Sequence, residues 1–170
     1  VEERLELLEA EVLDLREQSE SAGALSAVRI GGYGELHYNS LEGRGGASDK
    51  DEIDFHRFVL LFGYSFSDRI RLTSEIELEH ALSGDGKPGE VELEQAYIEI
   101  DISDNHRVQA GLFLLPVGVL NPNHEPPRFY GVERNPVEKS ILPTTWWETG
   151  IGAAGDLGGG VHYAAAIHSG

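Results

Sequence analysis

Glu75, Glu77 and Glu79 alternate with apolar residues, so a period-two strand puts all three carboxylates on one face. Glu92 and Glu94 follow on the next strand-like stretch. Paired carboxylates can perform acid/base chemistry, as in glycoside hydrolysis. A charged ladder is equally ordinary on the polar face of a sheet, and the rest of the chain favours that second reading. There is no nucleophile motif, P-loop or GxGxxG, and Gly158 to Gly160 reads as a turn. The histidines show no HxH or HxxxH spacing; His37, His56 and His80 stand scattered on different strand-like stretches. With no cysteine, thiolate sites and disulfides are excluded. A non-enzyme without cofactor or metal is therefore expected.

The formal charge of −17, from 13 basic and 30 acidic residues, excludes nucleic acid as a partner, because phosphates demand a basic face. Glycine, 21 of 170 residues, stands well above the usual ~7 per cent. Together with short alternating stretches, this suggests an all-β chain with many turns. No run of about 18 apolar residues marks a transmembrane helix. Val1 opens inside a helical pattern without Met or signal peptide, so the natural N-terminus is expected to lie upstream.

Alternation marks strands at 28–39, 57–66, 69–79, 95–102, 107–115, 149–156 and 161–167. One face is aliphatic and aromatic, with Ile30, Phe58, Leu60, Leu72 and Ile98. The opposite, charged face collects Arg29, Glu35, Arg57, Arg69, Arg71, Glu75, Glu77, Glu79, Glu99 and Arg107. Val91 and Leu93 fall out of phase with Ala96 to Ile102, which a β-bulge near Glu94-Gln95 repairs. The connections alternate: long at 40–52, short at 67–68, long at 81–90, short at 103–106, very long at 116–148, short near 155–160. Membrane β-barrels need that regularity, with short periplasmic turns and long outer loops. The charged face would then line the lumen.

The very long connection carries Pro116, Pro122, Pro126, Pro127, Pro136 and Pro143. Phe129, Tyr130, Trp146 and Trp147 argue against a solvated linker, so the loop is expected to fold inward and cover Val59, Leu61, Phe113 and Leu115. Its charges, Glu125, Arg128, Glu133, Arg134 and Lys139, are candidates for the edge of a pore constriction or for salt bridges to the wall.

Leu5, Leu8, Val12 and Leu15 continue a 4,3 spacing begun at Val1, the seam of a parallel coiled coil. A single amphipathic helix lying on a globular core is the plainer reading. The chain thus divides into a stalk at 1–22, a linker at 23–27 with Gly23 as the stop, and the strand region at 28–170.

Taken together, GGYGELHYN (31–39), DFHRFVLLFGYSFSDRIRLTSEIELEHA (54–81), LEQAYIEIDI (93–102) and the stretch from Gly111 through Gly155 resemble the opening of phosphate-selective porins of the O/P type. The resemblance implies a sixteen-stranded, usually trimeric outer-membrane barrel with its third loop folded into the pore; about seven strands are present here. The mixed lumen face departs from the family's basic ladder, so a general or cation-preferring pore is expected at least as much as a phosphate pore. The expected function is passive diffusion of small hydrophilic solutes or ions by a homotrimer in outer-membrane lipid, its stalk in the periplasm. Two alternatives remain: a tether joining envelope layers, with a cell-wall partner reached through the stalk, and a soluble β-sandwich binding module on a trimerising stalk.

Overall fold

The computed structural model describes residues 12–14, 23, 26–81, 89–128, 130–132, 134–143 and 145–170. The expected seam at Leu5, Leu8 and Leu15 lies outside the described residues; Val12 is described, helical and about half exposed. Gly23, Ser26 and Ala27 are helical as well, so helix occurs within the expected linker, where a stop at Gly23 was anticipated.

The fold is all-β. Seven strands form one antiparallel up-and-down sheet in chain order: β1 (Val28–Leu41), β2 (Lys50–Ser67), β3 (Ile70–Glu79), β4 (Val91–Ser103), β5 (His106–Leu114), β6 (Trp147–Asp156) and β7 (His162–His168). The sheet is open, since β1 and β7 each pair on one side only among the described residues. The short turns (68–69, 104–105, 157–161) gather at one end and the long connections at the other, as meander topology requires.

Two bulges organise the inner face, meaning the side the long loop covers. Glu75 pairs with Gln95 and Ile76 with Leu93, so Glu94 is the extra residue, where the phase break in the sequence places it. Glu35 pairs with Arg57 and Leu36 with Phe55, which makes His56 a second extra residue. This one was not anticipated. It lets β2 begin at Lys50, where a loop running to residue 52 and a strand from 57 were expected.

The residues buried in this chain are the reverse of a soluble core. Among the described residues, the buried apolar side chains are Val59, Phe113, Leu115 and Leu120. Twice as many buried residues are polar or charged: His37, Glu75, Glu77, Glu94, Asn121, His124, Arg134 and Glu138. Meanwhile Ile30, Leu36, Ile53, Phe58, Leu60, Ile151 and Ile167 all stand exposed on the other face.

Residues 115–146 leave β5, cross the inner face and return into β6, through 3-10 turns at Asn121–Asn123 and Pro126–Arg128 and a π-helical turn at Val137–Ile141. As expected, the cover falls on Val59, Phe113 and Leu115; Leu61 is half-buried. The means differs from the expectation of an aromatic clamp. Tyr130 is fully exposed, Trp147 belongs to β6 on the outer face, and Phe129 lies outside the described residues, while Trp146 is half-buried with its Nε1 donating to Glu148 Oε1 at 3.2 Å. Beside the buried Leu120, mainly polar side chains hold the loop.

Candidate functional site at the seat of the long loop

Asn121 closes the base of the loop. Its Nδ2 donates to the carbonyls of Leu115 (2.7 Å) and Trp146 (2.8 Å), and its Oδ1 accepts from the Trp146 amide (2.6 Å). One buried amide therefore joins the outgoing and returning chain. Glu138 ties the next turn, its Oε1 accepting from the Val119 amide at 3.1 Å.

Beyond these ties, His124 enters the wall. Its Nε2 lies 3.1 Å from Glu94 Oε2 and 3.6 Å from Glu75 Oε1, all three residues being buried. Gln95 Nε2 donates to the second oxygen of Glu75 at 2.6 Å. Burial pulls the His124 imidazole down, but hydrogen bonds and charge from Glu75 and Glu94 outweigh it and push the pKa up to about 9. At neutral pH the ring is a cation that donates to Glu94. Arg134 spans the loop above it, donating through Nη2 to the His124 carbonyl (3.3 Å) and to Thr145 Oγ1 (2.8 Å). Burial, aided by the charge of Arg57, lowers the Arg134 pKa.

The wall beside this seat is a run of cross-strand ion pairs. Arg57 Nε lies 2.8 Å from Glu35 Oε2, and its Nη1 lies 3.2 Å from Glu77 Oε1. These are close charge contacts between buried groups. Nearer the short turns Arg71 reaches Asp101 (2.7 Å) and Glu99 (2.8 Å), and Arg107 reaches Glu99 (3.2 Å).

The inner face thus gathers nearly the whole set expected to line it. Arg29 opposite Gly63, Glu35, Arg57, Arg71, Glu75, Glu77, Glu79, Glu99 and Arg107 share it by register. Arg69 does not: it sits in the β2–β3 turn, exposed, 3.9 Å from Asp104, because the tight turn takes it out of the pleat. Of the expected constriction set, Arg134 is buried as a loop brace and Glu125 is half-buried facing Tyr33. Arg128 and Lys139 are exposed, and Glu133 lies outside the described residues. The sequence reading missed Asn121, His124 and Glu138, whose partners sit on other strands or turns and leave no periodic trace.

A cleft of about 390 Å3 remains between the loop and the β4–β7 half of the sheet, lined by Tyr97, Arg107, Gln109, His124, Glu125 and Gly152. It stays open because the wall there is small, built from Gly152, Ala154, Ala164 and Ala166.

Over 130 residues the chain is 45% identical to an uncharacterised protein of Aquifex aeolicus (strain VF5). The match covers 76% of this chain and 29% of that protein, so the chain spans less than a third of the relative's length. No protein-family model matches the chain.

Proposed function

We propose that the seven strands are part of an outer-membrane porin barrel, a channel for passive diffusion of small hydrophilic solutes or ions, with residues 115–146 narrowing the pore. The observation that carries this reading is the inverted burial: charged side chains are covered and aliphatic ones bared. In water, baring so much apolar surface on one sheet face is costly at roughly 25 cal/mol per Å2. In lipid the same face is at home, and strands alternate apolar-out and polar-in. Aromatics stand toward both ends of that outer face, as in interfacial girdles: Tyr38, Phe55 and Trp147 toward the long loops, Tyr64, Phe66 and Tyr163 toward the short turns. A larger barrel removes the two open edges, and the Aquifex relative has ample further chain for more strands.

The resemblance to phosphate-selective porins fits the inward loop better than the solute. Arg57, Arg71 and Arg107 are each matched by wall carboxylates, so no basic ladder is free to draw phosphate. A weakly cation-preferring general pore agrees with the acidic balance. A trimer held by the N-terminal helix belongs to the same proposal.

The test is conductance. Full-length protein in planar bilayers should form ohmic channels, and deleting residues 121–142 should raise single-channel conductance in a barrel shown to be folded by heat-modifiable migration. A folded protein that forms no channel, or a folded deletion with unchanged conductance, contradicts the proposal.

A further inference from the structure

At the long-loop end of the sheet, away from the His124 seat, three histidines that stand far apart in sequence come together. His56 is the bulged residue of β2, and the bulge turns it onto the inner face between Asp54 and Arg57. There its ring stacks on His37 of β1, with centroids 4.2 Å apart and planes 12° apart. His80, immediately after β3, meets His56 edge-on at 5.2 Å. Asp54 Oδ2 lies between two of these rings, 3.1 Å from His56 Nδ1 and 2.8 Å from His80 Nδ1.

We propose that Asp54, His56 and His80 form a binding site for one divalent cation of the zinc class, with His37 and Glu35 as its supporting shell. The donor chemistry is imidazole nitrogen plus carboxylate oxygen, which suits zinc and its neighbours and not magnesium or calcium. The three donor atoms all lie within 4.8 Å of one another. A tetrahedral zinc ion with bonds of 2.0–2.2 Å separates its donors by about 3.3–3.5 Å. The observed 2.8 and 3.1 Å would have to widen by about 0.2–0.7 Å to admit the ion.

The scaffold holds the donors in place. Asp54 and His56 come from one paired strand, and the His80 amide donates to the His56 carbonyl at 2.9 Å. His80 also keeps a left-handed backbone, φ +53°, followed by Ala81 with the same value. Such a conformation is uncommon for residues other than glycine, and it aims the His80 ring at Asp54. Behind the donors, His37 Nε2 contacts Glu35 Oε1 at 2.6 Å, which fixes the ring on which the His56 ligand stacks. Glu35, His37 and His56 form a second donor triad sharing His56, so the two triads serve one ion and its shell.

Access and field agree. His80 and Asp54 are partly exposed, and Asp51, Glu52, Glu79, Glu90 and Glu92 stand on the same strand ends or beside them. The Glu75–Glu94–His124 cluster is the contrasting case: it too could hold a metal by spacing, yet it is closed beneath the loop and its carboxylates already face a cationic ring.

The test uses chelator-stripped full-length protein in detergent, titrated with zinc against a chromophoric competitor. One zinc per chain should bind, and cobalt should give the intense visible bands of a tetrahedral nitrogen–oxygen site. Asp54→Asn and His80→Asn, the latter chosen because Asn tolerates the left-handed backbone, should each weaken zinc about tenfold or more. His162→Gln at the opposite end should leave binding unchanged. Wild-type protein that binds no stoichiometric zinc, or that keeps its affinity in both ligand variants, overturns the site. Zinc binding is read without conductance, so this proposal and the channel proposal fail separately.

Discussion

The two faces of the sheet follow opposite rules although they share every strand. On the outer face, side chains such as Ile30, Leu60 and Ile151 touch little within the chain and stay exposed. On the inner face, Glu75, Glu77 and Glu94 are nearly inaccessible, each set against a charge from another strand or from the loop. The contrast shows what specifies each face. The inner face is specified internally, by ion pairs and hydrogen bonds that need particular partners. The outer face is specified only by polarity, and in the barrel proposed above its partner is lipid.

Placing a charge on each face in turn should separate the two most clearly. Leu60→Arg puts an uncompensated cation on the outer face and should cost about 2–4 kcal/mol of folding into liposomes if the position is near the midplane. Thr73→Arg, on the inner face of β3, should be mild. Equal costs would mean that the two faces see the same solvent. A smaller effect concerns the loop seat. The His124 pKa, about 9, is raised above its ordinary 6.5, so its contribution is fully present below about pH 6.5 and is lost as pH rises through about 9. Protease cutting within residues 115–146 should therefore increase between pH 7 and pH 10. His124→Gln should be cut readily at both pH values, with little further change. A wild-type loop equally protected at both would show that the imidazolium does not hold it.

Much of this was legible in the sequence where the chain obeys one period. Phe58, Leu60, Phe62 and Tyr64 fall on one face as read, and the alternation of long and short connections is observed. The bulge at Glu94 was legible because Val91 and Leu93 visibly break phase with Ala96 and Ile98. The same signature precedes His56, where Ile53 and Phe55 break phase with Phe58 and Leu60. Residues 40–52 look like polar loop and obscure it, because regular alternation begins only after the break. Missing that bulge also hid the histidine cluster, whose members meet only when His56 turns inward. The loop was legible as packed but not in how it packs. Which wall carboxylate receives His124, or which carbonyls Asn121 bridges, depends on contacts between distant residues that no local pattern encodes.

The most direct test of the inverted sheet is a medium-accessibility scan of β3 and β5 in full-length protein reconstituted into vesicles. These 170 residues hold no cysteine, so once any cysteine elsewhere in the full-length protein is replaced by serine, single cysteines at Leu72, Thr73, Gln109 and Ala110 can carry spin labels one at a time. Labels at 72 and 110 should collide with oxygen and be shielded from a water-soluble nickel chelate. Labels at 73 and 109 should show the reverse. Equal, chelate-accessible behaviour at all four positions would place both faces in water and contradict the account.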